Sequence, residues 1–469
     1  MNRPLFTRLT LAVALFAGST VATLAEPVKP TQAQSAAEVA SRQAERKVEI
    51  DMRAGRLQEA LAGYSGLLEK APQRASLWRG KGICLLQLGQ FAQAEPCFDR
   101  SLSLEPNQPL ALAERSQARA RQGKLKLAIA DIGEAIRLEP KQPSHYLARG
   151  YLLCDMRLYQ DALSDLNTCL SLRSNYPEAY CARAVVKSDL KDFQGAILDS
   201  EQALKMNPNL AVAYQVRGYS RGLMGQFEQA EKDFEQSLSL NPKDPFCWAD
   251  RGYLHELMSD WEKALVYYNE SSRLDPSRGL TYTSRGGVYI QLQQYEKALA
   301  DYTKAIEIVP EELRAWNGRA LAYNGLKRPI EALADTDQAL KLDPNFAETY
   351  YDRGLIYFSN QNWDKALAEY SLALQKNAQY DAAYAARGDC YEAQGQLPLA
   401  IEEYSKAIQL APQNPYYYFD RGEFYLQAGQ NEKGEADLKR ALELAPTAWV
   451  KKQLEQRRRE QELRRGRNN

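Results

Sequence analysis

Histidine is almost missing: His145 and His255 are the two in 469 residues. So little imidazole argues against a histidine-built metal centre or general base. His255-Glu256 lacks the second histidine of a metalloprotease helix, and a packed core residue is the simpler reading. Seven cysteines are present, but none has C-x-x-C spacing, which removes the usual zinc and redox motifs. They read as small buried hydrophobes, with one bridge such as Cys154–Cys181 as the alternative in an oxidising compartment. No phosphate loop, dinucleotide fingerprint or nucleophile elbow occurs, and no strand pattern would carry one. No metal, cofactor or catalytic residue is expected. Charge of one sign is lacking too. Sixty basic residues balance sixty acidic ones, so nothing in the whole molecule favours nucleic acid.

Long apolar runs are also scarce. The run from Leu9 is diluted by Gly18, Ser19 and Thr20, too short and too broken for a stable transmembrane span. Arg3 and Arg8 precede it, no acid appears before Glu26, and Thr23 and Ala25 suit cleavage. Residues 1–25 therefore read as a cleavable signal peptide, and the expected location is outside the cytoplasm, in a periplasm. Residues 26–40 begin as a Pro- and Gln-bearing linker, with a helical pattern starting near 36.

What fills the rest is repetition. From 41 to 448 the sequence falls into twelve units of 34 residues without insertion or deletion. A unit that small cannot offset about 1.5 kcal/mol per residue of ordering entropy alone, so units must stack. With slots numbered from Gly279 as slot one, slot eight is small, from Gly82 through Gly286 to Gly422. Slot twenty is Ala60 through Ala400, then Gly434. Aromatics recur in slots four, eleven, seventeen and twenty-four: Tyr282, Tyr289, Tyr295 and Tyr302 in that unit. Slots four, eight and eleven share one helical face, as do twenty, twenty-four and twenty-seven. Each unit thus reads as two amphipathic helices of about 14 residues. Slot fifteen is often glycine, as Gly89 and Gly395, which suits a helix end. Proline closes most units at slot thirty-two and opens several at slot one, where a helix accepts it.

This pattern resembles the tetratricopeptide repeat family, and the match covers most of the chain after residue 41. The resemblance implies an all-α, right-handed superhelical solenoid of antiparallel helix pairs, with first helices lining a concave groove. It also implies binding of a peptide or protein rather than catalysis. Slot seven is basic in all twelve units, Lys47 and Lys81 followed by Arg115 through Arg421, which is like the arginine–glycine variety. Slot twenty-three is mostly acidic, from Asp131 to Asp437. Matched opposite charge at a fixed offset favours internal ion pairs over a polyanion-binding stripe.

Slots two, five, nine and twelve of the first helix lie about a third of a turn from the core face. The groove candidates there are Tyr151, Tyr219, Phe246, Tyr253, Ile290, Leu321, Tyr351, Leu355, Phe358, Tyr416 and Phe419. Acids such as Glu348, Asp389, Glu392 and Glu423 gather toward the C-terminal end. Few of these slots hold Lys or Arg, which disfavours a carboxylate-terminated ligand. Residues 449–469 read as a capping helix and basic tail, with eight basic and three acidic residues from Lys451 onward. Function is expected to be that of a non-catalytic scaffold gripping a protein segment, with envelope or secretion-complex assembly as the role family habit suggests. The rival is a surface-associated polyanion or glycan binder using the tail and groove tyrosines.

Overall fold

Thirty-four residues is also the structural period. The computed structural model describes residues 36–444 together with Lys451, Lys452, Glu455, Gln456 and Arg459, and the five outliers are helical. The leader, residues 26–35 of the linker and most of the cap and tail lie outside the described residues. Residues 36–444 form twenty-four helices, from Ala36–Arg53 to Asn431–Leu444, and there is no strand among the described residues. From repeat two onward every first helix has thirteen residues and starts at slot one, as Ala347–Ser359 does. Every second helix has fourteen and starts at slot seventeen, as Trp363–Lys376 does. Repeat one differs in its first helix, Ala36–Arg53, which begins five residues before slot one and runs for 18.

The described residues form two compact units, divided between Met258 and Ser259. The first holds six complete helix pairs and the first helix of repeat seven. The second holds that repeat's second helix and five further pairs. Within each unit, a first helix packs on its own second helix and that second helix on the next repeat. First helices of successive repeats also touch, whereas successive second helices make no comparable contact. First helices are therefore the crowded, inner layer of each unit.

The reason the pairs close is visible at slot eight. A Cβ added at Gly286 would meet the Tyr302 ring at 3.0 Å, and one at Gly82 would meet Phe98 at 2.8 Å. At Gly354 the Tyr370 ring fills the place outright. Opposite lies the slot-twenty alanine, fully buried from Ala60 to Ala400. Small residues on both helices bring the backbones together, and the slot-twenty-four side chain, a ring in seven of the twelve repeats, fills what remains.

Each first helix ends the same way. The residue at slot fifteen has positive φ in all twelve repeats: six glycines, plus Arg157, Lys191, Ser259, Gln293, Lys327 and Gln361. Around it the chain closes two reverse bonds, as Gln361 N to Phe358 O and Asn362 N to Tyr357 O, both 2.9 Å. This is a left-handed C-cap, which costs a residue with a Cβ about 1–2 kcal/mol. Gln361→Gly should therefore raise stability by about 0.5–1 kcal/mol after glycine's extra chain entropy is deducted. Gly395→Ala should lower it by a similar amount. Urea titration of both variants checks the pair.

Slot four does more than fill the core. Its ring N–H or O–H donates to the carbonyl of the proline six residues earlier: Trp78 to Pro72 (2.8 Å), Tyr146 to Pro140 (3.0 Å), Trp316 to Pro310 (2.8 Å) and Tyr350 to Pro344 (3.0 Å). The turn between repeats is thus tied to the helix it feeds.

The slot-seven arginine completes the frame. Arg115, Arg183, Arg285, Arg319 and Arg421 each make a two-pronged pair with the slot-twenty-three aspartate of their own repeat, 16 residues on. A third nitrogen reaches slot twenty-five of the preceding repeat, as Arg183 to Asn167 at 2.8 Å and Arg285 to Asn269 at 2.8 Å. The same guanidinium lies over the slot-four ring, 5.4 Å from the Tyr282 centroid and 4.8 Å from that of Trp316. Each arginine so joins three helices. Where slot twenty-three is Tyr267, Arg251 turns back to Glu231 of repeat six.

Candidate functional site

With slots seven, eight and twenty-three committed to the frame, the variable surface of each unit is the first-helix layer. The structure divides the eleven groove candidates. Tyr151, Tyr219 and Phe419 are buried, 5%, 6% and 2% exposed, so they do not form an accessible surface. The cause differs. Slot nine faces slot nine of the next repeat, so the Tyr219 ring stacks on Tyr253 at 6.0 Å, and Tyr151 reaches the Glu178 carbonyl of the next first helix. Phe419 instead packs with Leu438 and Ala441 of its own pair. Phe246, Tyr253, Ile290, Leu321, Tyr351, Leu355, Phe358 and Tyr416 are half-buried. Phe358 leans on Trp363 at 4.9 Å.

In the first unit this layer holds a cavity of about 330 Å³. Leu110, Ala113, Ala148 and Leu152 supply apolar walls, and Glu114, His145 and Arg173 supply the polar ones. Burial pushes the Glu114 carboxyl up despite hydrogen bonds from Arg79 at 2.6 and 2.7 Å. His145 is buried beside Glu139 at 3.1 Å. Glu114 occupies slot six and Arg173 a turn, and neither place was among the groove slots deduced from helical angle. The recurrence of acids at slot six (Glu114, Asp250, Asp352, Asp420) is the signal that could have found them.

His255 is a core residue, 3% exposed and 3.5 Å from Glu231. Burial raises the Glu231 carboxyl, but the neighbouring His255 and the donating Arg251 guanidinium outweigh it and hold it at about 2. The pair belongs to the frame of repeats six and seven. All seven cysteines are buried and carry no disulfide among the described residues. Burial pushes the thiols of Cys84, Cys169 and Cys390 up to about 12, which makes them poor nucleophiles.

In the second unit the layer carries a tyrosine and carboxylate cluster. Tyr351 sits between Tyr370 and Tyr380, with ring centroids at 5.7 and 5.1 Å. Tyr417 donates to Asp381 at 2.8 Å and Tyr404 to Asp389 at 2.5 Å. Burial, with the charge of Glu348 adding to it, pushes the Asp352 carboxyl up to about 8. A carboxyl raised on folding binds its proton more tightly in the folded chain, so stability falls as pH climbs from about 4 to 8. Asp352→Asn removes that loss. It should raise the melting temperature at about pH 8 and leave it unchanged near pH 4.

Models described as "TPR repeat" match residues 286–326 and 388–429. Those described as "Tetratricopeptide repeat" match 313–346, 51–118, 336–368, 177–210, 211–244 and 415–447. Together they cover more than half of the chain. No curated protein matches the sequence. Similar solved structures include yeast Tom70, at 17% identity and TM-score 0.49, covering 91% of this chain and 96% of that one. Another is the APC/C hetero-tetramer Cut9-Hcn1, at 13% identity and TM-score 0.46, covering 89% and 96%. The period, the paired helices and these models agree: the chain is a tetratricopeptide repeat protein built of many tandem helix pairs.

Proposed function

We propose that this chain is a non-catalytic scaffold of the arginine–glycine variety that holds a protein segment against its first-helix layer. One observation carries the reading. The repeating slots are consumed by packing and by the arginine frame, while the half-buried apolar side chains that vary, such as Leu321, Leu355 and Phe358, gather on the inner layer. Partly exposed apolar and aromatic groups gathered in one layer favour a protein ligand held by desolvation. The leader-like residues 1–25 support an exported scaffold in a periplasm, serving an envelope or secretion complex.

A surface-associated polyanion or glycan binder acting through residues 449–469 is the competing reading. Removing the chain after 448 separates the two. The scaffold keeps its partner, and salt has a modest effect on capture. A polyanion binder loses its ligand, and its full-length binding falls steeply with salt.

A further inference from the structure

Two joints between successive first helices share a device. A donor at slot five meets an acid at slot six of the next repeat: Arg79 holds Glu114 at 2.7 and 2.6 Å, and Gln215 donates to Asp250 at 2.8 Å. The joint between repeats nine and ten breaks it. Slot six is Asp352, but slot five is Asn317, which gives its amide N–H to Thr349 at 3.1 Å instead. Asn317 is 4% exposed and its Oδ1 has no donor. No hydrogen bond reaches Asp352 among the described residues. A third group is unmatched. The hydroxyl of Tyr370, fully buried, has no partner. Its counterpart one repeat on, Tyr404, donates to an acid at slot nine, whereas slot nine of repeat ten is Leu355.

An acceptor left without a donor in a half-desolvated place is costly. A carboxylate and an amide oxygen, both without a donor, call for a compact donor with no acceptor of its own, which is the inventory of an ammonium group; the Tyr370 phenol can add its oxygen to that set. The rings of Tyr351 and Tyr380 offer faces for such a cation and for an alkyl stem. Charge agrees, since Glu348, Asp381 and Asp389 line the same cluster; Arg314 stands 3.9 Å from Glu348.

We propose that this joint takes the ammonium of a lysine from the bound segment, with Asp352 and Asn317 as its acceptors and Tyr351 and Tyr380 as its walls. The inference rests on the first-helix layer being the ligand face. An entering ammonium favours ionised Asp352 and displaces its proton, so binding tightens as pH rises toward 8. The groups facing Asp352 are Glu348, Tyr351, Tyr370 and Tyr380, while Asp381 and Asp389 act on Tyr351. Burial holds the tyrosines 351, 370 and 380 well above their ordinary range, so Asp352 is the group that titrates in that window.

The test is fluorescence anisotropy of the full chain with a labelled Ala-Leu-Lys-Leu-Ala peptide and its counterpart with glutamate for lysine. The lysine peptide should bind roughly tenfold tighter and gain several-fold between about pH 6.5 and 8.5. Asp352→Asn should cost about tenfold and abolish the pH dependence, and Asp352→Glu should keep most of the affinity. Glu296→Gln/Glu432→Gln, which removes exposed charge from second helices, should change nothing. Equal binding of the two peptides, or an equal loss in that control, overturns the assignment. If deletion after 448 tightens the lysine peptide about tenfold, the chain's own basic end occupies the joint and a partner's lysine does not. If both peptides bind alike and both weaken with Phe358→Ala, the ligand face stands and this joint falls. If Phe358→Ala weakens neither, both readings fall.

Discussion

Substituting leucine for Gly354 is expected to remove about 3 kcal/mol of stability, concentrated in repeat ten. Helix propensity alone argues the other way. Glycine inside a helix costs up to about 1 kcal/mol relative to alanine, so any replacement begins with a small gain. Packing decides the sign, because the Tyr370 ring already fills the place of the new Cβ. Tyr370 is itself fully buried and wedged by Ala366, Ala386 and Cys390, so it has nowhere to move without separating the two helices. The matched control is Gly66→Ala, where nothing lies within 4 Å of the added carbon; it should gain up to about 1 kcal/mol. Hydrogen exchange resolved by repeat checks both, since an array loses protection around the damaged unit. Wild-type protection around Gly354→Leu would mean the backbones do not approach as described.

Arg285→Ala should cost about 2–4 kcal/mol. An exposed surface pair would be worth less than 1 kcal/mol, so geometry matters here. Arg285 is 15% exposed and Asp301 9%. The guanidinium makes a two-pronged pair at 2.7 Å and also reaches Asn269 and Ser272 of the preceding repeat at 2.8 and 2.9 Å. Truncation leaves Asp301 half-desolvated and opposed by nothing, and it unties two repeats at once. Arg285→Ala/Asp301→Ala should recover part of the loss, because the orphan charge is gone. Thermal unfolding of the two single variants and the double completes the cycle. Partner affinity of Arg285→Ala, measured below its melting temperature, should stay at the wild-type value.

How much of this was legible depends on what repeats. Gly286, Ala298, Tyr302 and Pro310 recur at fixed slots, so period and punctuation placed the helices to within a residue or two. The 16-residue offset between arginine and acid showed that they pair. What the offset hid was the third helix. The reach from Arg285 to Asn269 runs backward into another repeat, and slot twenty-five varies too freely to stand out, from Asp99, Asn167 and Ser405 to Gly133, Glu201 and Lys439. Slot-four donation to the proline carbonyl was hidden for the opposite reason: Tyr and Trp there looked fully explained by packing.

The first-helix layer was the least legible part. Helical angle puts slot nine on the inner side but does not say how near the next first helix comes. Tyr219 and Tyr253 have the same type and slot, yet Tyr219 is buried beneath its neighbour and Tyr253 stays half-exposed. Asp352 lies in slot six, outside the groove slots, and nothing in its sequence neighbourhood singles it out. Its distinction arises because Asn317, one repeat earlier, spends its amide on Thr349.

The central claim is that binding resides in the varying slots of the first helices. It is tested most directly by capturing partners from native lysate with wild type and two matched triple variants. One is Leu321→Ala/Leu355→Ala/Phe358→Ala on first helices. The other is Val266→Ala/Ile330→Ala/Leu399→Ala, which removes exposed apolar groups (61%, 81% and 40%) from second helices. The account predicts that the first variant loses the proteins wild type retains while the second keeps them. The reverse pattern, or identical capture by all three, would contradict it.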